Sequence, residues 1–487
     1  MEPRRRRLSV CMIARNEAAR LPTSIASVKR IADEIVVADT GSTDDTPGVA
    51  SSMGARVVHH RWRDDFSQAR NASIEAANGD WILCLDADEY VPPESEAKIL
   101  RAIAGDADAC FVRIESPVAS SAGRLFVHIF PRLFRNLPGV RFEGRAHEQI
   151  FPSLARAKAR VVASDITIRH TGYAIPRDEL RAKARRNAEL LLKDIEADPT
   201  DALALFHLGE AYSMLEDFEE AARRYKQALK SSRLPREIKA VVLQNLAGSL
   251  VKLKRYDEAL SGLRKALEIC PGLLTVHLLL ASAQYAQGKF EKAEKEICAY
   301  LAKSQEAKGK IGANASYQPD IPPAMVLLAK CKIARGETAM ARDVLGDAVR
   351  LDGTLLDAHV LLARIAFEET RFAESAAAYE AALKCNPQDE RLYVELAKVY
   401  LAGGSVERAV GAAERAVKSG IRSPGIFTCL GFLKIKQKDF RAAAEAYNQV
   451  LSLDPNDKDA CRKLAGLHHL IGDDQSARNF ARISETM

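Results

Sequence analysis

Apolar residues follow two different rhythms along this chain, and the change falls near residue 175. Before it, short apolar runs bounded by turn residues read as strands at Leu8 to Ala14, Ile35 to Asp39, Arg56 to His59 and Trp81 to Asp86. Helical stretches alternate with them, around Leu21 to Lys29, Asp45 to Met53 and Phe66 to Ala77. That alternation predicts a largely parallel sheet with helices on both faces. Beyond Asp88 the strands shorten and become mixed, at Cys110 to Ile114, Leu125 to Phe134 and Val161 to His170. Ligands of such sheets bind outside the carboxyl ends of the strands, where Arg15-Asn16-Glu17, Asp39 and Asp86 fall.

After residue 175 the pattern becomes helical throughout. A helix from Pro176 to about Glu196 bridges residues 176–200, and Pro199 closes it. From 201 to 487 the chain repeats. Small residues at Ala221, Ala259, Ala293, Ala341, Ser375, Ala409, Ala443 and Ala477 are separated by 38, 34, 48, 34, 34, 34 and 34 positions. A period of 34 held that often is the tetratricopeptide spacing, giving about eight helix pairs. Pairs such as Leu208-Gly209 and Leu430-Gly431 mark each first helix, where a small residue lets the partner helix approach. Pro271, Pro387 and Pro455 separate units, since proline cannot continue a helix. The gap of 48 holds an insertion near 304–320, read as a loop after a lengthened helix. Such an array leaves a concave surface for a partner and supplies binding rather than chemistry. Its His359, His468 and His469 read as packed or solvated helix residues.

Composition narrows the class. A chain of 487 residues exceeds one ordinary core, and 47% hydrophobic with 28% charged residues describes a soluble globular protein. The net charge of +6, without an aromatic-studded basic motif, argues against nucleic acid and suits an anionic substrate. Nine cysteines without a C-x-x-C pair fit free thiols in a reducing cytoplasm. No run is long enough to span a bilayer. Arg4 to Arg7 ahead of Leu8 to Ala14 imitates a signal peptide, but the run is short and Arg15-Asn16-Glu17 follows at once, so a first strand is expected. The location expected is cytoplasmic, with peripheral contact at the inner membrane face left open by the basic terminus.

The candidate chemistry lies at the sheet's carboxyl edge. Trp81-Ile82-Leu83-Cys84-Leu85 runs into Asp86-Ala87-Asp88-Glu89. Crowded carboxylates cost free energy unless a cation or hydrogen bonds offset them. Mg²⁺ or Mn²⁺, which take one or two carboxylates plus substrate phosphates, are the expected partners. Asp39-Thr40-Gly41-Ser42-Thr43-Asp44-Asp45-Thr46 ends one strand and opens a helix. It reads as a strand-to-helix turn, or as an acid placed to hydrogen-bond a ribose or base edge.

Together with Ser9 to Glu17, Asp65-Phe66-Ser67-Gln68-Ala69-Arg70-Asn71 and Gly79-Asp80-Trp81, these segments resemble family 2 glycosyltransferases of the Rossmann-like GT-A fold. The resemblance covers roughly the first 170 residues. The added repeat array resembles a bacterial subgroup that includes peptide and protein glycosyltransferases. The resemblance implies that Asp39 meets the nucleotide with Asn16, Glu17 and Arg70 lining its pocket, that Asp86 faces the ribose and metal-bound diphosphate, and that Asp88 is the main metal ligand. It implies a nucleotide-sugar donor, UDP-linked by expectation, and an inverting transfer. Two further segments, Arg141 to Gln149 and Ile168 to Tyr173, are similar to stretches of the same subgroup. They offer Glu148 as the base that takes the acceptor proton, or as a carboxylate paired with Arg145, and His170 as a metal ligand or a structural histidine. The acceptor expected is a peptide, protein or envelope glycan, with the array recruiting acceptor, a protein partner or a second copy of the chain.

Two competitors remain. One is a scaffold with an inactive transferase domain, against which Asp39, Asp86 and Asp88 stand. The other is nucleotidyl transfer, which usually goes with a Gly-rich phosphate loop that Ala14-Arg15-Asn16-Glu17 lacks.

Overall fold

The computed structural model describes residues 6–117, 125–170, 177–232, 234–306 and 320–486. It divides into two compact units, Met1–Lys289 with Cys298–Pro319, and Phe290–Ile297 with Asp320–Met487.

In the first unit, strands β1 (Leu8–Ala14), β2 (Glu34–Asp39), β3 (Arg56–His59), β4 (Trp81–Cys84), β5 (Glu89–Tyr90), β6 (Ala109–Pro117), β7 (Leu125–Arg135) and β8 (Val161–His170) form one sheet in the order β3-β2-β1-β4-β7-β6-β8-β5. The β3-β2-β1-β4 half is parallel, and β7 enters antiparallel to β4. Helices α1 (Leu21–Val28), α2 (Thr46–Ser52), α3 (Phe66–Ala76), α4 (Pro93–Ala104) and α5 (Phe151–Arg156) lie between the strands in sequence. Side chains alternate across a strand, so the central strands feed two cores. Val10, Met12 and Leu83 join one with Leu21 and Ile25 of α1. Cys11, Val36, Ile82 and Cys84 join the other with Ile74 of α3. Burial on both faces is why these strands read as unbroken apolar runs.

β4 is shorter than the sequence suggests. Leu85 N–H still donates to Cys11 carbonyl at 3.1 Å, but Asp86 N–H turns to Glu89 Oε2 at 2.9 Å. Asp86 therefore begins a turn instead of ending a strand, and the short β5 that follows pairs Glu89 with His170.

The bridging helix α6 (Arg177–Ala197) and the first repeat helix α7 (Ala202–Met214) share a core with the sheet domain: Ala188, Leu190, Leu191, Ala204, Leu208 and Ala211 pack with Ala146, Trp62 and Phe66. Arg145 Nε contacts Asp194 Oδ1 at 3.0 Å, and Arg186 covers the Phe66 ring at 5.2 Å. The apolar core thus crosses residues 175 and 200, where the element pattern changes.

From α7 onward, including α8 (Phe218–Ala228) and α9 (Arg236–Lys252), sixteen helices follow one another among the described residues, with α7 packed on α8 and later first helices on second ones within a unit. The repeated small residues, from Ala221 to Ala443, are fully buried, and Ala477 is 9% exposed. A Cβ on Gly209 would lie 2.5 Å from the Tyr225 ring, which is why the first helix needs glycine there. Each unit also turns through one left-handed residue at a fixed register: Glu216, Lys254, Gly288, Gly336, Thr370, Gly404, Lys438 and Gly472. The lengthened helix of the third unit runs from Phe290 to Glu306, and the rest of its insertion lies outside the described residues. His359 is packed, with Nε2 2.9 Å from the Gly353 carbonyl, and His469 is exposed beside Asp474. No described helix is long and apolar enough to cross a membrane.

Candidate active site

The first two sequence segments are knitted together at the ends of β1 and β2. Asn16 sits at φ 58°, a left-handed conformation that asparagine tolerates. Its N–H donates to Ser42 Oγ at 2.9 Å, and its Oδ1 accepts from Thr43 N–H at 2.7 Å. Glu17 N–H donates to Thr46 Oγ1 at 2.8 Å, and burial raises the Glu17 carboxyl above its ordinary range. Asp39, 4% exposed, accepts from Gly41 N–H at 3.2 Å and from Ser42 Oγ at 2.5 Å. Its carboxylate thus shapes the turn whose Ser42, Thr43 and Thr46 hold Asn16 and Glu17.

The charged centre is built around Asp86. Arg70 comes from α3, whose start is fixed by Asp65 Oδ1 accepting from Gln68 N–H at 3.0 Å. The Arg70 side chain is 8% exposed. Its Nε lies 2.5 Å from Glu148 Oε1, and its Nη2 lies 2.8 Å from Asp86 Oδ1. Arg132, on β7, donates from Nη2 to Asp86 Oδ2 at 3.0 Å. Burial works to raise the Asp86 carboxyl, but Arg132 and Arg70 outweigh it and hold it well below the carboxylate range. Burial likewise works against the Arg70 cation, and Asp86 and Glu148 reverse the effect. Arg132 was missed by sequence reasoning. The signal was present as a lone arginine in the apolar run Ile129-Phe130-Pro131-Arg132-Leu133-Phe134.

Asp88 and His170 face one another at the open side. His170 Nδ1 is 3.5 Å from Asp88 Oδ2, with the two side chains 32% and 34% exposed. His170 Nε2 is 3.7 Å from Glu89 Oε1, and burial raises the Glu89 carboxyl. Thr171 to Tyr173 lie outside the described residues. Asp86, Asp88 and His170 do not form one three-ligand group, and no three His, Cys, Asp or Glu side chains do so among the described residues. Two buried atoms of the cluster nevertheless have no directed hydrogen bond: Asp86 Oδ1, which Arg70 approaches off-line, and Arg132 Nη1. Asp86 Oδ1 already has the Arg70 cation beside it at 2.8 Å, whereas an unsatisfied guanidinium N–H calls for an anion.

Glu148 is paired, but with Arg70; Arg145 is engaged by Asp194 instead. The residue before it, His147, adopts φ 55° and keeps an exposed edge. His147 stacks on His207 of α7 with ring centroids 4.4 Å apart and planes 2° from parallel. Burial and the neighbouring His207 both lower the His147 pKa.

Residues 9–150 match the family described as glycosyl transferase family 2. The N-terminal domain is a family 2 glycosyltransferase domain. Behind this transferase domain, residues 204–239, 250–310, 326–390, 360–424 and 432–484 match tetratricopeptide repeats. A TPR repeat-containing protein of Synechococcus elongatus is 37% identical over 266 residues, covering 52% of this chain and 66% of that protein. The SPbeta prophage-derived glycosyltransferase SunS of Bacillus subtilis is 29% identical over 223 residues, covering 45% of this chain and 52% of that one. An uncharacterized glycosyltransferase of Rickettsia felis is 42% identical over 93 residues, covering 19% of this chain and 32% of its own length. The chain thus spans less than two thirds of each of these relatives. The crystal structure of a tetratricopeptide repeat protein from Parabacteroides merdae aligns with 54% of this chain and 97% of its own, at 19% identity and a TM-score of 0.36.

Proposed function

We propose that the chain is a metal-dependent, inverting glycosyltransferase that moves a sugar from a UDP-sugar to a peptide, protein or envelope-glycan acceptor. The observation that carries this reading is the convergence of Arg70 and Arg132 on Asp86, beside the open Asp88, in a family 2 domain. Asn16, Glu17 and Asp39 would line the nucleotide end. Asp88 and His170, with Asp86 behind them, would hold Mn²⁺ or Mg²⁺, which when bound supplies Lewis-acid stabilisation of the departing diphosphate.

The chain's own residues do the rest. Arg70 and Arg132 exchange part of their hold on Asp86 for the diphosphate oxygens, so charge released at the leaving group meets preorganised cations. As Arg70 turns to the diphosphate, Glu148 loses its guanidinium partner and becomes free to take the acceptor proton. The acceptor X–H forms its bond to the anomeric carbon as the bond from that carbon to the phosphate oxygen breaks, with inversion. The repeats would recruit the acceptor or a protein partner, raising its effective concentration at the cleft. A cytoplasmic site of action, with peripheral contact at the inner membrane face, goes with this reading.

The test is calorimetric titration of UDP and GDP with and without Mn²⁺, on the native chain and on Asp88→Asn. Metal-dependent UDP binding lost in the variant is expected. Absence of nucleotide binding under every metal condition sinks the reading and leaves the alternative of an inactive scaffold acting through its repeats.

A further inference from the structure

The transferase family match ends at residue 150, yet the contacts of the segment just before it reach beyond. The ring of His147 lies flat against His207, which belongs to the first repeat helix α7. His207 is in turn held from its far side. Its Nδ1 is 2.9 Å from Glu210 Oε2, and Glu210 Oε1 accepts from Asn245 Nδ2 of α9 at 3.2 Å. The carboxylate fixes the tautomer and the plane of the imidazole it touches, as a carboxylate–histidine pair does in metal and acid–base sites. The His207 side chain is 17% exposed, with one face against His147 and Nδ1 on Glu210, so its ring is held rather than free to turn.

His147 itself is an exposed non-glycine residue in the left-handed region, next in sequence to the carboxylate that Arg70 binds. Strained backbone of this kind persists where the surroundings over-determine it, and it gathers at functional sites. Here the surroundings are explicit. The Ala146 side chain is locked in the core shared with α6 and α7, Arg145 is tied to Asp194, and the His147 ring is clamped by His207.

We propose that His147 is a substrate-facing residue at the acceptor end of the site, and that His207 and Glu210 of the first repeat are its positioning residues. The chemistry is a neutral imidazole whose N–H donates to a polar atom of the acceptor and turns its X–H toward Glu148, which takes the proton. The first repeat is therefore a wall of the transferase site as well as the start of a binding array. This inference rests on the transferase reading above.

The probe is turnover of UDP-sugars with water in the acceptor position, followed as UDP release, alongside UDP binding, on full-length His207→Ala, His207→Phe and Glu210→Gln. His207→Ala is expected to lower the turnover rate roughly 10- to 100-fold with UDP affinity within twofold of native, the size of a misplaced reacting group. His207→Phe, which keeps a flat ring, should recover part of the loss. Turnover unchanged in His207→Ala and Glu210→Gln overturns the inference while leaving the transferase intact. A native chain that neither binds nor turns over any nucleotide sugar removes the transferase reading itself, and this inference with it. Should His207→Ala fail to fold, the native protein decides. Carbethoxylation of His147 by diethyl pyrocarbonate near pH 6, mapped by peptide mass, should abolish turnover and spare UDP binding. Full modification with undiminished turnover overturns the inference.

Discussion

Replacing Arg70 by methionine tests the charged centre most directly. The side chain is 8% exposed and bridges two carboxylates, Asp86 at 2.8 Å and Glu148 at 2.5 Å. Asp86 would keep Arg132, but Glu148, 12% exposed, would keep no cationic partner among the described residues. Removing one member of a buried ion pair costs about 3–5 kcal/mol, because the other charge is left desolvated. The guanidinium also covers the Phe142 ring at 5.4 Å, a contact of about 0.5–1 kcal/mol. A loss of about 4 kcal/mol corresponds to a fall on the order of 10 °C in midpoint. The assay is intrinsic fluorescence, since both tryptophans, Trp62 and Trp81, lie in the transferase domain and the repeats contain none. The double variant Arg70→Met with Glu148→Gln removes the orphaned charge and should recover about 1–3 kcal/mol, the penalty for an unsatisfied buried group. A single variant that loses less than about 1 kcal/mol, or a double variant no more stable than the single one, refutes the argument.

The other predictions concern acid stability and the repeats. Asp86 has a folded pKa below its unfolded one, so its stabilisation is present above about pH 4 and is lost as pH falls through the lowered value; Asp86→Asn should flatten the acid limb of tryptophan-detected unfolding. Gly431→Ala would put a Cβ 2.7 Å from the Tyr447 ring and should destabilise the array by about 1–3 kcal/mol in circular dichroism melts. Gly411→Ala, with no atom within 4 Å of the new Cβ, should instead stabilise it by about 0.5–1 kcal/mol, and equal effects at the two sites would contradict the packing described. Exposed Thr370 occupies the left-handed turn position at φ 59°, so Thr370→Gly should stabilise the array by about 1 kcal/mol in the same melts while Thr370→Ala should not.

The sequence made most of this architecture visible because the fold is written in short-range patterns. Strands buried on both faces are apolar throughout, and the repeat spacing of 34 reappears in a succession of sixteen described helices whose repeated small residues are buried. Asn16, Glu17 and Asp39 come from segments that contacts at the ends of β1 and β2 bring side by side, and Arg70 meets Asp86 although each is conspicuous in the sequence only within its own segment. Arg132 was not legible, since its role depends on β7 entering antiparallel beside β4, a pairing across about fifty residues that periodicity does not encode. His207 and Glu210 sit on a face of α7 that looks like ordinary repeat surface until α6 folds that helix against Ala146. Glu148 found Arg70 instead of its sequence neighbour Arg145 for the same reason, because Asp194 from α6 had claimed Arg145.

The core shared by Trp62, Phe66, Ala146 and the helices α6 and α7 bears on how such a chain can be recombined. A genetic junction placed at residue 175 or 200, where the elements change from mixed to purely helical, would cut through that core and leave two aromatic rings facing water. Transferase and first repeat must therefore be inherited together. A graft that exchanges recognition modules has to be made farther along the array, beyond the apolar cluster that runs on from Ala202 to Ala283.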